Sequence, residues 1–275
     1  MKNLVFFLCL FTIIFSCSYE EDEFNSEVFE GDITFLTQQE IDEFGNKGFT
    51  QITGNITIGT LNSSSTLISS LNGLRKLKSL NGNLIIQFND ALLNLNGLNN
   101  LTLIEGYFSV VGNSKLINLE GVNSLSAVNG SIYIWKNKAL TNLNDLMNLT
   151  SVGRELFIGD NQELQDILGL RSLSSIGEEL HLSDNTSLQS LEGLHNVTSI
   201  GSFLYLGFNR ALVNLNGLRN VSSVGGFLKV RENDLLEDFC GIQTIINSGL
   251  SNDYEVFGNS YNPTQQDILD GNCSG

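Results

Sequence analysis

One apolar pattern returns every 24 residues without a slip from Ile68 to Leu235. Successive repeats start at Ile68, Leu92, Leu116, Leu140, Leu164, Leu188 and Leu212, and an eighth starts at Leu236. Each reads L-x-x-L-x-G-L-x-x-L-x-x-I, then two or three turn residues, then L-x-L-x-x-N. A long, constant period marks an array in which each unit buries its apolar side only against its neighbours. The repeat therefore predicts a solenoid.

The L-x-L step has a period of two, so it predicts a strand with both apolar residues facing inward. One inward column runs Leu84, Phe108, Ile132, Leu156, Leu180, Leu204, Leu228. The other runs Ile86, Val110, Ile134, Ile158, Leu182, Leu206, Val230. Strands stacked from successive repeats would form a parallel sheet, with neighbours about 4.8 Å apart.

Three residues past the second column stands an asparagine in every repeat: Asn89, Asn113, Asn137, Asn161, Asn185, Asn209 and Asn233. A bend leaves backbone N–H and C=O groups without strand partners, and a buried amide side chain can pair with both kinds. Each such group left unpaired would cost roughly 1–3 kcal/mol. The asparagines are therefore expected to form a structural ladder. Glycine marks a second bend at Gly73, Gly97, Gly121, Gly169, Gly193, Gly217 and Gly241. The expected reason is a left-handed backbone, which glycine adopts freely. Asp145 holds that place in one repeat and is expected to tolerate the same conformation.

The ends depart from the period. Thr37 with Glu40 makes a capping-box pattern and predicts a short helix before the first repeat. At the other end Asn262 is the expected N-cap, Pro263 the first helical position and Gly271 the residue beyond the helix. Such caps would cover the open edges of the array.

The first 17 residues, "MKNLVFFLCLFTIIFSC", carry Lys2 and then an apolar run from Leu4 to Phe15. The run is short for a membrane span and suits an export signal. Its ending, "IIFSC", resembles the lipobox of bacterial lipoproteins, in which the chain is cut before a cysteine that then carries lipid. By position that residue is Cys17. Residues 18–32, opening "SYEEDEFNSEVFEGD", read as an acidic flexible tether, and an acidic stretch there also resembles the surface-export signal of Bacteroidetes-type lipoproteins. An exported chain meets an oxidising compartment, so Cys240 and Cys273 are expected to pair. That bridge would be worth roughly 3–4 kcal/mol in the loop-entropy picture.

The repeat and its ends, from about Ile33 to Cys273, resemble the receptor L-domain, a relative of leucine-rich repeats. The opening "LTQQEIDEFGNKGFTQITGNITIG" and the closing "FCGI…GNSYNPTQQDILDGNC" look like the end caps of bacterial surface members of that group. The resemblance implies a mainly β fold over residues 33–275: a right-handed parallel β-helix with short capping helices at both ends. It also implies protein or glycan binding at the cell surface and no catalysis.

The residues between the inward ones face out. The central outward column reads Ile85, Ser109, Tyr133, Phe157, His181, Tyr205, Lys229. Beside it run Gln87, Val111, Trp135, Gly159, Ser183, Gly207, Arg231 and, on the other side, Asn83, Tyr107, Ser131, Glu155, Glu179, Phe203, Phe227. Exposed aromatic clusters often mark binding surfaces. Tyr107, Tyr133, Trp135, Phe157, His181 and Tyr205 are the candidate ligand-binding residues, against the alternative that they are strand formers packing across neighbouring repeats.

The net charge of −16 argues against nucleic acid as a partner. Only two histidines occur, and H-E-x-x-H, G-x-S-x-G and phosphate-loop motifs are absent from the chain. Glu155 and Glu179 fall one repeat apart, about 5 Å by strand spacing, close enough to imitate a retaining glycosidase pair. A flat sheet implies no cleft for them, so neither catalysis nor a cofactor or metal is expected. The expected protein is a lipid-anchored binding protein of the outer membrane surface, with a protein or glycan partner. The alternatives are a structural or adhesive envelope protein without a specific ligand and a secreted eukaryotic wall-type protein.

Overall fold

The structure, a computed structural model, describes residues 28–60, 67–250 and 254–275. The signal segment, Cys17 and the tether up to residue 27 lie outside the described residues. The chain is mainly β and alternates between two long parallel sheets. The first has nine strands of two residues each, running from Val28–Phe29 through Ser79–Leu80, Ser151–Val152 and Ser175–Ile176 to Ser223–Val224. The second has ten, in the order Ile33–Phe35, Ile56–Ile58, Leu84–Gln87, Phe108–Val111, Ile132–Trp135, Leu156–Gly159, Leu180–Ser183, Leu204–Gly207, Leu228–Arg231 and Tyr254–Phe257. Each of the seven repeats from Ile68 to Leu235 thus gives one strand to each sheet. The core between the sheets holds both inward columns at 0% exposure.

The register repeats the period of the sequence. Leu84 pairs with Phe108, Phe108 with Ile132 and Leu204 with Leu228. Only the ends shift: Ile56 pairs with Leu84, and Leu228 with Tyr254. Val28–Phe29, within the stretch 18–32 expected as a tether, pairs with Gln51–Ile52 and so belongs to the folded array.

The asparagine ladder forms as the bend requires. All seven asparagines are fully buried. The side chain of Asn161 shows the pattern: its Nδ2 donates to Ile134 O at 2.9 Å and to Asn185 Oδ1 at 3.2 Å. Its Oδ1 accepts the backbone N–H of Asn137 at 3.0 Å. Each amide thus holds the repeat before it and is held by the repeat after. Asn259 continues the column beyond the strict period.

One regularity carries no residue signature. The position before each ladder asparagine is left-handed in every repeat: Phe88, Gly112, Lys136, Asp160, Asp184, Phe208, Glu232 and Gly258 have φ between 50° and 71°. For a residue with a Cβ this costs about 1 kcal/mol or more. The turn it makes drops the next residue, asparagine, into the core. The N–H of the turned residue also reaches the neighbouring strand, as Lys136 does to Gly159 O at 3.1 Å and Asp184 to Gly207 O at 3.0 Å.

The glycine column has a different cause from the expected one. Only Gly97 and Gly121 are left-handed, at φ 120° and 122°. At Gly169 a Cβ would lie 1.7 Å from Leu143 O, and at Gly193 1.8 Å from Ile167 O. These glycines are required because the backbone of the preceding repeat passes against them. Asp145 is not left-handed either; it lies in the 3-10 turn Asn144–Leu146. Asn123 donates to its carboxylate at 3.1 Å, and burial above all raises its pKa.

The caps agree with the sequence at one end and differ at the other. Thr37 and Glu40 form the capping box of helix Gln38–Lys47, which ends at left-handed Gly48. Phe29, Phe35 and Phe49 pack around Phe44 of that helix. The C-terminal helix is Gln265–Leu269, capped by Thr264 and Asp267 and not by Asn262. Asn262 instead closes the ladder, its Oδ1 accepting from the N–H and Nδ2 of Asn259. The Cys240–Cys273 disulfide is present and ties the last repeat to the C-terminal segment.

The outer edge of the nine-stranded sheet is uniform in the six repeats that follow Lys78. Thr102, Ser126, Thr150, Ser174, Thr198 and Ser222 are exposed, and each hydroxyl donates to the carbonyl 24 residues earlier, at 3.0–3.4 Å.

Candidate functional site

The outer face of the ten-stranded sheet carries the aromatic residues in one continuous row. Strand alternation turns them away from the core, and parallel pairing sets them side by side: Tyr133 beside Phe157, Phe157 beside His181, His181 beside Tyr205. Ring centroids are 6.3 Å apart for Tyr133 and Phe157, 4.5 Å for Phe157 and His181, and 4.4 Å for His181 and Tyr205. Tyr107 joins from the neighbouring column, edge-on to Tyr133 at 6.0 Å. Arg231 closes the far end, donating from Nε to the Tyr205 hydroxyl at 2.8 Å.

Trp135 stands apart from the row. It is 38% exposed, and the Lys136 ammonium lies 4.0 Å from its ring. Its neighbours along the sheet are Val111 on one side and Gly159, which presents no side chain, on the other. The structure thus joins five of the six candidates through ring contacts and leaves the sixth as a free wall.

Small residues sit beneath the rings. Built Cβ atoms at Gly159 and Gly207 would meet Phe157 at 2.7 Å and Tyr205 at 2.6 Å. His181 Nε2 lies 3.2 Å from Ser183 Oγ in the same relation. Alternation places Gln87, Ser109, Ser131 and Ser183 outward, yet their exposure is only 7–8%. Large neighbours cover them, which the direction of a side chain alone does not disclose.

The covered serines floor two depressions on either side of the Tyr107–Tyr133 pair. The first, about 410 Å³, has Ser131 at its base and is walled by Asn83, Glu105, Asn129, Arg154, Glu155 and Glu178. The second lies over Ser109 and Val111. One part, about 350 Å³, is bounded by Tyr133, Trp135, Glu155 and Phe157, and the adjoining part by Ile85, Phe88 and Tyr107. Tyr133 and Glu155 border both. The sequence columns contain these residues, but only the leaning of the rings separates pits from ridges.

Glu155 is the strained charge of the site. Burial raises its pKa, and the charges of Glu179 and Glu178 add to the rise, while the Tyr133 hydroxyl and Arg154 oppose it. Arg154 is itself paired with Glu178 at 3.1 Å. The Tyr133 hydroxyl is raised as well, burial being the main cause. Burial lowers the pKa of His181, opposed by Asp184, so the imidazole is kept neutral within the aromatic row. His195 lies elsewhere, at the 3-10 turn Glu192–Leu194, beside the Arg219–Glu192 ion pair.

Such an arrangement offers flat apolar surfaces next to fixed hydrogen-bonding groups, the usual composition of a recognition site. Among the described residues no group of three or more His, Cys, Asp or Glu is placed to hold a metal ion. No helix among them is long and apolar enough to cross a membrane. Comparison with protein-family models, with curated proteins and with solved structures finds no match to this chain.

Proposed function

We propose that this protein is a non-catalytic binding protein of the cell surface that takes a protein or glycan partner on the outer face of its ten-stranded sheet. The observation that carries the reading is the row Tyr107, Tyr133, Phe157, His181 and Tyr205, with Trp135 beside it, on an otherwise regular sheet. Aromatic rings give large contact area at low rotamer cost, which suits recognition. The two parallel sheets fit the right-handed β-helix of a receptor L-domain, and its use as a binding module supports the same reading. Cys17 is the proposed lipid anchor, holding the domain at the outer membrane surface through the acidic tether. Cys17→Ala should release the protein from the membrane fraction, and unchanged membrane association would end the anchor proposal.

The binding surface is tested by Trp135→Ala with Tyr133→Ala. Binding of purified protein to intact cells or to arrayed glycans should fall by tenfold or more, with a small change in Tm. Full binding by the double variant, folded by circular dichroism, would move the site off this sheet.

A further inference from the structure

We infer that the ligand is a neutral glycan of at least two sugar rings, one lying against Trp135 over Ser109 and Val111 and the next seated in the depression around Glu155. This rests on the reading that the outer face of the ten-stranded sheet is the binding surface.

A pyranose ring has an apolar face of C–H groups and a rim of hydroxyls. The two depressions divide along the same line. Trp135 and the side of Tyr133 border the one that is lined mainly by apolar atoms. Carboxylates, amides, hydroxyls and one guanidinium line the other. Stacking on an aromatic face and hydrogen bonding to fixed polar groups are complementary demands of one ligand. Because Tyr133 and Glu155 border both depressions, adjacent rings of a single chain could engage them together.

Charge narrows the class further. Glu105, Glu155 and Glu178 meet one cation, Arg154, in the polar depression, and Arg154 is engaged with Glu178. Asn129 donates to Glu105 at 2.6 Å, which satisfies that carboxylate without neutralising it. An anionic polysaccharide would meet repulsion here, on a chain whose net charge is already −16. Sugar hydroxyls, by contrast, donate to carboxylates in charge-assisted bonds.

A peptide fits less well. An extended peptide gains its affinity by pairing with a sheet edge. The edge strands of this sheet are Ile33–Phe35 and Tyr254–Phe257, and at least one further strand separates each from the strands that carry Tyr107, Tyr133 and Glu155. A folded protein needs about 800 Å² of complementary surface on each side, and two shallow pits beside ridged rings do not present a flat patch of that kind.

Glu155→Gln tests the inference because it separates binding from folding. Burial already disfavours the charge of Glu155, so the isosteric amide should leave Tm unchanged or slightly higher at pH 7. The probes are neutral oligosaccharides (laminarihexaose, cellohexaose, mannohexaose) and anionic polygalacturonate, measured by titration calorimetry with the purified protein. At least one neutral hexaose should bind in the micromolar to low millimolar range, its affinity should fall at least tenfold with Glu155→Gln and with Trp135→Ala, and its disaccharide should bind more weakly. Polygalacturonate should not bind. Binding of polygalacturonate alone would overturn the neutral class. No glycan binding, with cell binding still lost in the Trp135→Ala/Tyr133→Ala variant, would overturn the glycan inference and leave the surface reading standing. Hexaose binding that neither single variant weakens would overturn both.

Discussion

At the edge of the nine-stranded sheet the exposed column reads Lys78 and then Thr102, Ser126, Thr150, Ser174, Thr198, Ser222, a hydroxyl in each repeat after the first. On the ten-stranded sheet the central outward column reads Ile85, Ser109, Tyr133, Phe157, His181, Tyr205, Lys229, with changes of size and charge at most steps. Both faces rest on the same leucine-rich interior and the same strand spacing. A need shared by all repeats, such as a hydroxyl to engage the carbonyl of the repeat before, produces a uniform column. A column that varies against that background answers to something other than the repeat. The difference fits a nine-stranded face that maintains the array and supports the proposal that the ten-stranded face serves an external partner.

This comparison can be sharpened by three variants. The largest loss is expected at the corner both sheets share. Asn161→Ala removes the partner of Ile134 O and of the Asn137 N–H, and withdraws a donor from Asn185. At about 1–3 kcal/mol for each of the two groups that lose this partner, Ile134 O and the Asn137 N–H, chemical denaturation should show a loss of roughly 2–6 kcal/mol. On the uniform face, Thr150→Ala with Ser174→Ala removes two exposed hydroxyl bonds and should lower stability by about 1 kcal/mol in total, with binding unchanged. On the variable face, Trp135→Ala should cost less than about 1 kcal/mol, since the ring is exposed and stacks on no other aromatic residue, while removing most of the binding. A binding defect in the Thr150/Ser174 variant, or a stability loss at Trp135 larger than theirs, would break the assignment of the two faces.

What the sequence disclosed follows the same division. The inward columns, the ladder from Asn89 to Asn233, the Thr37 cap and the Cys240–Cys273 bridge were legible because burial or covalent chemistry admits few residue types there. The left-handed column was not. Phe88, Lys136, Asp160 and Glu232 share a backbone conformation imposed by neighbouring strands, and nothing in their side chains selects for it. Gly169 and Gly193 were legible as necessary but not for the right reason, since a missing Cβ serves a left-handed turn and a close backbone approach equally well. At the site, alternation placed Ser109 and Ser131 on the outer face correctly. It could not say that neighbouring rings would roof them, because that depends on rotamers in three adjacent strands.

The asparagine ladder also has a direction. The backbone N–H of each ladder asparagine donates to the side-chain oxygen of the asparagine after it, so the bond dipoles run the same way and reinforce one another. Nothing at Asn137 distinguishes its place in the series from that of Asn185. A chain of identical links has no preferred length of its own. It ends where a link is closed off, and Asn262 does this by turning its Nδ2 back to Asn259 O. Excising one 24-residue unit would shorten the molecule by one strand spacing, about 4.8 Å, and leave each remaining amide a partner of the same kind. Size in this molecule is a whole number, and the residue that stops the count lies outside the repeat.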